Sequence, residues 1–179
     1  MKLPVKELVL PKDLKKAQNG RLTVAVLRNI SGGGKLHHVA ARAWEAMHDA
    51  AMATTGVKPF KPTSSADAYR SFEQQLAGFM SRYVGEPNGS KTTRHYLGKK
   101  YWLKEGMAPM ATPATSNHGW GLAVDVWSAN GKRLDWMLQN CDMYGFSWEV
   151  QSEPWHIRYV CGDILPQTVL DYETKNIQT

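Results

Sequence analysis

Two short segments constrain the fold of this chain more than any other feature. They are Ser116-Asn117-His118-Gly119-Trp120-Gly121-Leu122-Ala123-Val124-Asp125 and, further along, Glu153-Pro154-Trp155-His156. Both concentrate imidazole and carboxylate groups, which do joint chemistry only if the fold brings them to one point. Where thiolates are absent, zinc is held by imidazole and carboxylate, and a catalytic site takes three protein ligands and leaves a fourth position for water. His118 lies in a Thr/Ser/Gly-rich loop and Asp125 on the apolar run that follows. The intervening Gly119 and Gly121 leave side chains out where the backbone must bend closely around a metal. The third ligand has to come from elsewhere, and His156 on a late β-like run is the candidate.

Glu153 adds chemistry to ligation. Water activated by a metal needs a nearby carboxylate to take its proton and pass it to a leaving amine. On a straight strand, Glu153 and His156 would face opposite sides, but Pro154 breaks the regularity and lets both turn to one site.

Around these segments the patterning predicts an α+β fold, with helices packed on a small, mainly antiparallel sheet. Residues 36–55 place Leu36, Val39, Ala40, Ala43, Trp44, Met47 and Ala51 on one helical face. A second helix, capped by Asp67, carries the stripe Tyr69, Phe72, Leu76, Phe79, Met80 and Tyr83. Residues 85–100 are polar, basic and turn-rich, and are expected to form an exposed loop. Residues 121–127 read as a central strand, apolar on both faces. Residues 132–143 form a third helix, residues 146–150 and 155–160 two short strands joined by a hairpin-like return, and residues 166–173 a last helix. Thr23 to Leu27 is a candidate edge strand before the flexible Ser31-Gly32-Gly33-Gly34. The expected organisation is an N-terminal extension or edge strand over residues 1–35, then a domain over 36–179 that carries both segments (the zinc peptidase domain of the resemblance described next), within one globular unit.

The pattern Ser-x-His-x-x-Gly-x-Ala-x-Asp followed by Glu-x-Trp-His resembles that of the D-alanyl-D-alanine carboxypeptidase (VanY-type) zinc metallopeptidases, which include phage L-alanyl-D-glutamate endopeptidase endolysins. The resemblance spans roughly residues 36–160 and implies a hedgehog/DD-peptidase-like fold. It implies His118, Asp125 and His156 as ligands of one zinc ion and Glu153 as the catalytic base. Tyr69-Arg70-Ser71 resembles the family's upstream Tyr-Arg-Ser segment, which implies that Arg70 steadies a substrate carbonyl or carboxylate, with Ser116 and Gln75 as further substrate contacts. Two departures lie on the substrate side. Residues 64–69 replace a compact Ser-Gly-Tyr-Arg, and Ala114 stands where a glycine is usual.

The implied activity is hydrolysis of an amide bond in the stem peptide or cross-link of peptidoglycan, as by a phage endolysin. A D-alanyl-D-alanine carboxypeptidase is the alternative, and a non-catalytic zinc-containing wall-binding module a third reading, against which Glu153 argues. The chain carries a net charge of +6, which attracts polyanions, anionic wall polymers among them. The basic, aromatic-interleaved residues 91–102 raise single-stranded nucleic acid as a rival partner, but no nucleic-acid fold accompanies them and none is expected to bind. No apolar run reaches the length of a membrane span, and the amino terminus is not expected to act as a secretory signal. The expectation is a monomer made in the cytoplasm without a signal peptide, reaching the wall after holin-mediated release. Cys141 and Cys161 are expected to be free. His37, His38, His48 and His95 lack partners at ligand spacing and are expected to be surface or helix residues.

Overall fold

The apolar stripe of residues 36–51 becomes helix α1 (His38–Ala53), with Val39, Ala40, Ala43, Trp44, Met47 and Ala51 all buried. Trp44 stacks on Phe60 at 5.3 Å and meets Phe146 edge-on at 6.2 Å, the offset and perpendicular arrangements that aromatic quadrupoles favour. The computed structural model describes residues 2–177 of the chain, and α1 lies at the centre of its α+β core.

Strands β1 (Leu27–Asn29) and β2 (Lys35–His37) pair antiparallel and lead straight into α1. The expected edge strand is displaced by a few residues, because Val24–Val26 forms a 3-10 turn. Helix α2 (Phe72–Arg82) starts later than expected and is capped by Ser71, not Asp67. Ser71 Oγ accepts from Gln74 N while Gln74 Oε1 accepts from Ser71 N, the reciprocal capping box of a Ser-x-x-Gln sequence. Asp67 instead ends a short 3-10 turn and pairs with Arg70 at 3.1 Å.

The stretch expected to be an exposed loop is a small sheet. Strands β3 (Tyr83–Val84), β4 (Thr93–Tyr96) and β5 (Lys99–Leu103) assemble in the order β3-β5-β4, antiparallel throughout. Leu97 and Gly98 turn the chain between β4 and β5 with positive φ. The sheet has its own apolar centre, where Phe79 of α2 stacks on Tyr83 at 4.7 Å and meets Tyr101 edge-on. Charge and turn residues dominated the sequence there, but alternate aromatics supply a buried face.

The main sheet contains β6 (Ala123–Asp125), β7 (Phe146–Trp148) and β8 (His156–Tyr159) in the order β6-β8-β7. The central strand is β8, not β6. Ala123 and Val124 are nevertheless both buried, so both faces of β6 are covered, and residues 61–63 lie along its outer edge, with Thr63 N donating to Asp125 O and Trp127 N to Lys61 O, both at 2.9 Å. The β6–β8 register sets Asp125 opposite His156. Helix α3 (Gly131–Asn140) continues as a 3-10 turn, Cys141–Tyr144, and stops at Gly145 with φ 77°. Helix α4 (Gln167–Ile177) is tied to α1 by a two-pronged Arg42–Glu173 pair at 2.6 Å. Both cysteines are free.

The N-terminal segment is woven into this core. Leu3, Leu14 and Ile30 are buried in it, Val5 bridges Trp148, and Val9 bridges Cys161. Among the described residues no helix is long and apolar enough to cross a membrane.

Candidate metal centre

The two segments singled out in the sequence meet at one end of the main sheet. His118 sits in a 3-10 turn, Asn117–Trp120, and is buried. Ser116 caps that turn by accepting from His118 N, and Gly121 ends it at φ 63°. The two glycines of this loop serve packing rather than room for a metal. A Cβ on Gly119 would fall 1.9 Å from Asn19 Oδ1, and one on Gly121 2.7 Å from His37 N.

Each ring is aimed by what its outer nitrogen holds. His118 Nδ1 donates to Ala68 O at 2.8 Å, which turns Nε2 towards Asp125 Oδ2 at 3.3 Å. His156 Nε2 donates to Glu149 Oε2 at 2.8 Å, leaving Nδ1 facing Asp125 Oδ1 at 2.7 Å. The ring centroids are 5.1 Å apart. The three donor atoms lie within 4.8 Å of one another, and they belong to the two chemical types that zinc takes when thiolate is absent. The residues therefore fit a metal held by three ligands, with each imidazole fixed from behind by the acceptor on its outer nitrogen.

Electrostatics match that geometry. Burial alone would raise the Asp125 carboxyl, but hydrogen bonds and positive charge from His118 and His156 hold it far below the ordinary range. Glu149 is held down to about 2, chiefly by its hydrogen bond with His156, with Asn117 Nδ2 donating at 2.9 Å as well. Burial would lower His156, yet its hydrogen bonds with Asp125 and Glu149 bring it up to about 9. A group of this kind accepts a cation, whether proton or metal.

A cavity of about 340 Å³ opens onto the cluster and is lined by Arg70, Arg82, Ser116, Glu149, Glu153 and Trp155. Arg70 is braced by Ala66 O at 3.0 Å and by Asp67, and its guanidinium lies 4.0 Å from Asp125. Glu153 shares the cavity with the cluster because the Pro154 return folds back on itself. Glu153 O accepts from His156 N at 3.0 Å, and Pro154 O accepts from the Trp148 indole at 2.9 Å. A second cavity, of about 540 Å³, adjoins the first at Asp67, Asp125 and Trp155 and runs past Thr63, Val126 and Ala129.

Gln75 is placed elsewhere. It is 1% exposed and its amide is fully engaged behind the loop, donating to Asn19 Oδ1 and Arg70 O and accepting from Ala114 N. It supports the loop from beneath and does not line the cavity. Sequence reasoning missed Glu149, which follows β7 outside either motif. Its only signal was a carboxylate in an otherwise apolar strand segment, Phe146-Ser147-Trp148-Glu149.

The sequence model of the family described as VanY: D-alanyl-D-alanine carboxypeptidase matches residues 33–162. A solved structure of VanYB in complex with D-alanine-D-alanine is 20% identical, with a TM-score of 0.50, and the match covers 94% of this chain and 92% of that one. A variant of the vancomycin resistance D,D-pentapeptidase VanY in complex with Zn(II) is 22% identical over 86% of this chain and 84% of that chain, with a TM-score of 0.47. The LdcB LD-carboxypeptidase is 18% identical over 82% and 74%, at 0.42. No curated protein matches.

Proposed function

The chain belongs to the D-alanyl-D-alanine carboxypeptidase (VanY) family, and from that premise we propose a zinc-dependent endopeptidase of the endolysin type. It cuts an amide bond within the stem peptide or cross-link of peptidoglycan. The observation that carries the endopeptidase reading is the pair of adjoining cavities. They share Asp67, Asp125 and Trp155 as lining, which offers peptide room beyond the cavity that holds both histidines. An enzyme that trims a terminal residue needs a closed end.

His118 Nε2, Asp125 and His156 Nδ1 would hold the zinc, which when bound supplies a Lewis acid for the scissile carbonyl and makes water acidic near neutral pH. Glu153 accepts the proton of the attacking water and returns it to the leaving amine. Arg70, held rigid by Ala66 and Asp67, orients the substrate carbonyl, with Ser116 lining the same cavity. Glu149 fixes the His156 ring from behind. The net charge of +6 favours residence on an anionic wall.

A second reading, D,D-carboxypeptidase, has its own support. Two guanidiniums, Arg70 and Arg82, line the first cavity and would suit a free carboxylate. Mass spectrometry of purified peptidoglycan digested with and without a chelator separates the two. Chelator-sensitive new internal amino termini are expected, whereas release of free D-alanine alone would replace the endopeptidase with the carboxypeptidase. Intact walls from several species, with zinc bound to the protein, would favour a non-catalytic module.

A further inference from the structure

His37 and His38, expected to be unpartnered, converge on a carboxylate from the N-terminal segment. Asp13 Oδ2 lies 2.9 Å from His37 Nε2 and 3.2 Å from His38 Nε2. Neighbours on a strand normally point to opposite faces. Here His37 ends β2 and His38 begins α1, so the strand-to-helix corner swings both rings to one side, with centroids 4.3 Å apart.

We propose that Asp13, His37 and His38 form a second divalent-cation site, separate from the peptidase centre, that pins the N-terminal segment to the domain. The three donor atoms lie within 4.8 Å of one another. In a tetrahedral zinc site with bonds of about 2.0–2.1 Å, adjacent donor atoms stand ~3.3 Å apart. The distances at Asp13 lie close to that edge length, as do the 2.7 and 3.3 Å at Asp125. Carboxylate and imidazole again make the donor set. His38 and Asp13 are 40% and 38% exposed, so water reaches the remaining coordination positions. A second carboxylate, Asp163, accepts from Lys12 N at 3.1 Å and adds negative charge beside the cluster.

The site is the weaker of the two. His37 Nδ1 is buried and has no hydrogen-bond partner among the described residues, so none of these fixes this ring as Glu149 fixes His156. Outer-shell partners of metal-bound histidine are typically worth 10–100-fold in affinity. The cation ties Asp13, in the turn Lys12–Lys16, to the β2–α1 corner. It thereby steadies the segment that continues to Asn19, whose amide holds Ser116 O at 2.8 Å beside the peptidase centre.

The test is equilibrium dialysis of metal-stripped, full-length protein against graded free zinc, with bound zinc counted by mass spectrometry. Wild type is expected to bind two equivalents, the second saturating at ~10-fold or more higher free zinc. His38→Ala and Asp13→Asn, both at partly exposed positions, should each abolish the second step and keep the first. His118→Ala should lose the tight step and keep the weak one, which separates this proposal from the assignment of the peptidase centre. Trypsin cleavage after Lys15 and Lys16 should slow on zinc addition in wild type and not in His38→Ala. A single equivalent in wild type, or a second step that survives in both His38→Ala and Asp13→Asn, overturns the proposal.

Discussion

Among the described residues two clusters share the same donors, two histidines and one aspartate, and they differ in what stands behind and beside those donors. At Asp125 every imidazole nitrogen is engaged. Ala68 O holds His118 from outside, Glu149 holds His156, and Asp125 receives both inner nitrogens. At Asp13, His37 Nδ1 is buried without a hydrogen-bond partner among the described residues, and His38 stands half in solvent. The first cluster also opens onto a cavity with Glu153 and Arg70 on its walls. Donor identity alone is thus a poor guide to chemistry. Rigid outer support sets affinity, and an acid–base group within reach of substrate makes a binding site a catalytic one.

The comparison breaks most directly at Glu153. Glu153→Gln should lower wall hydrolysis by ~10²–10⁴-fold while the tight zinc equivalent stays bound; a rate equal to wild type would remove the feature that sets the Asp125 cluster apart. Next in size, Glu149→Gln should weaken the tight zinc step by about 10–100-fold, bringing it towards the Asp13 cluster. Unchanged zinc affinity in that variant would show that outer support is not what separates the two. His38→Ala, by contrast, should keep the tight zinc step and lower hydrolysis at saturating zinc by less than either carboxylate variant, as measured by release of soluble wall peptides.

The smallest expected effect is on the pH dependence of the metal-free protein. Glu149 ionises at about 2 when folded against an ordinary 4.5, so its contribution is complete above pH 4.5 and is lost as pH falls towards 2. His156 keeps its proton to about 9 against an ordinary 6.5, so its contribution is complete below pH 6.5 and is lost as pH rises through 9. The Asp125 cluster therefore stabilises the chelated protein most between pH 4.5 and 6.5. Melting temperatures measured in chelator should peak in that window and flatten in Glu149→Gln. A wild-type profile without the peak would contradict the charged pairing at His156.

Much of this was legible in the chain. The α1 stripe and the order of strands 146–150 and 155–160 followed from periodicity, and His118, Asp125, Glu153 and His156 followed from the chemistry of two compact segments. What escaped was non-local or local in an unexpected way. Asp13 reaches histidines 24 and 25 positions away, as the hydrogen bonds show, and no spacing rule connects them. Glu149 acts on His156 across the β7–β8 return, outside both motifs. Asp67 was a plausible cap, but the reciprocal Ser71–Gln74 bonds satisfied two donors at once and moved the helix start. The β4–β5 hairpin looked like a loop because Arg94, Lys99 and Lys100 crowd its short strands around a glycine turn, while the aromatic cluster that orders it draws on Phe79 from a different element.

The placement of residues 2–10 bears on how the protein behaves in concentrated solution. A three-stranded sheet with two bare margins offers unpaired peptide groups to other chains, a common start for aggregation. In this molecule residues 61–63 run beside β6, and the bridge from Val5 to Trp148 places the N-terminal segment beside β7. Both margins of the main sheet are occupied by the chain itself. Trimming the protein through Val9 would uncover the β7 margin, and the shortened form should self-associate at concentrations where the full chain stays dispersed.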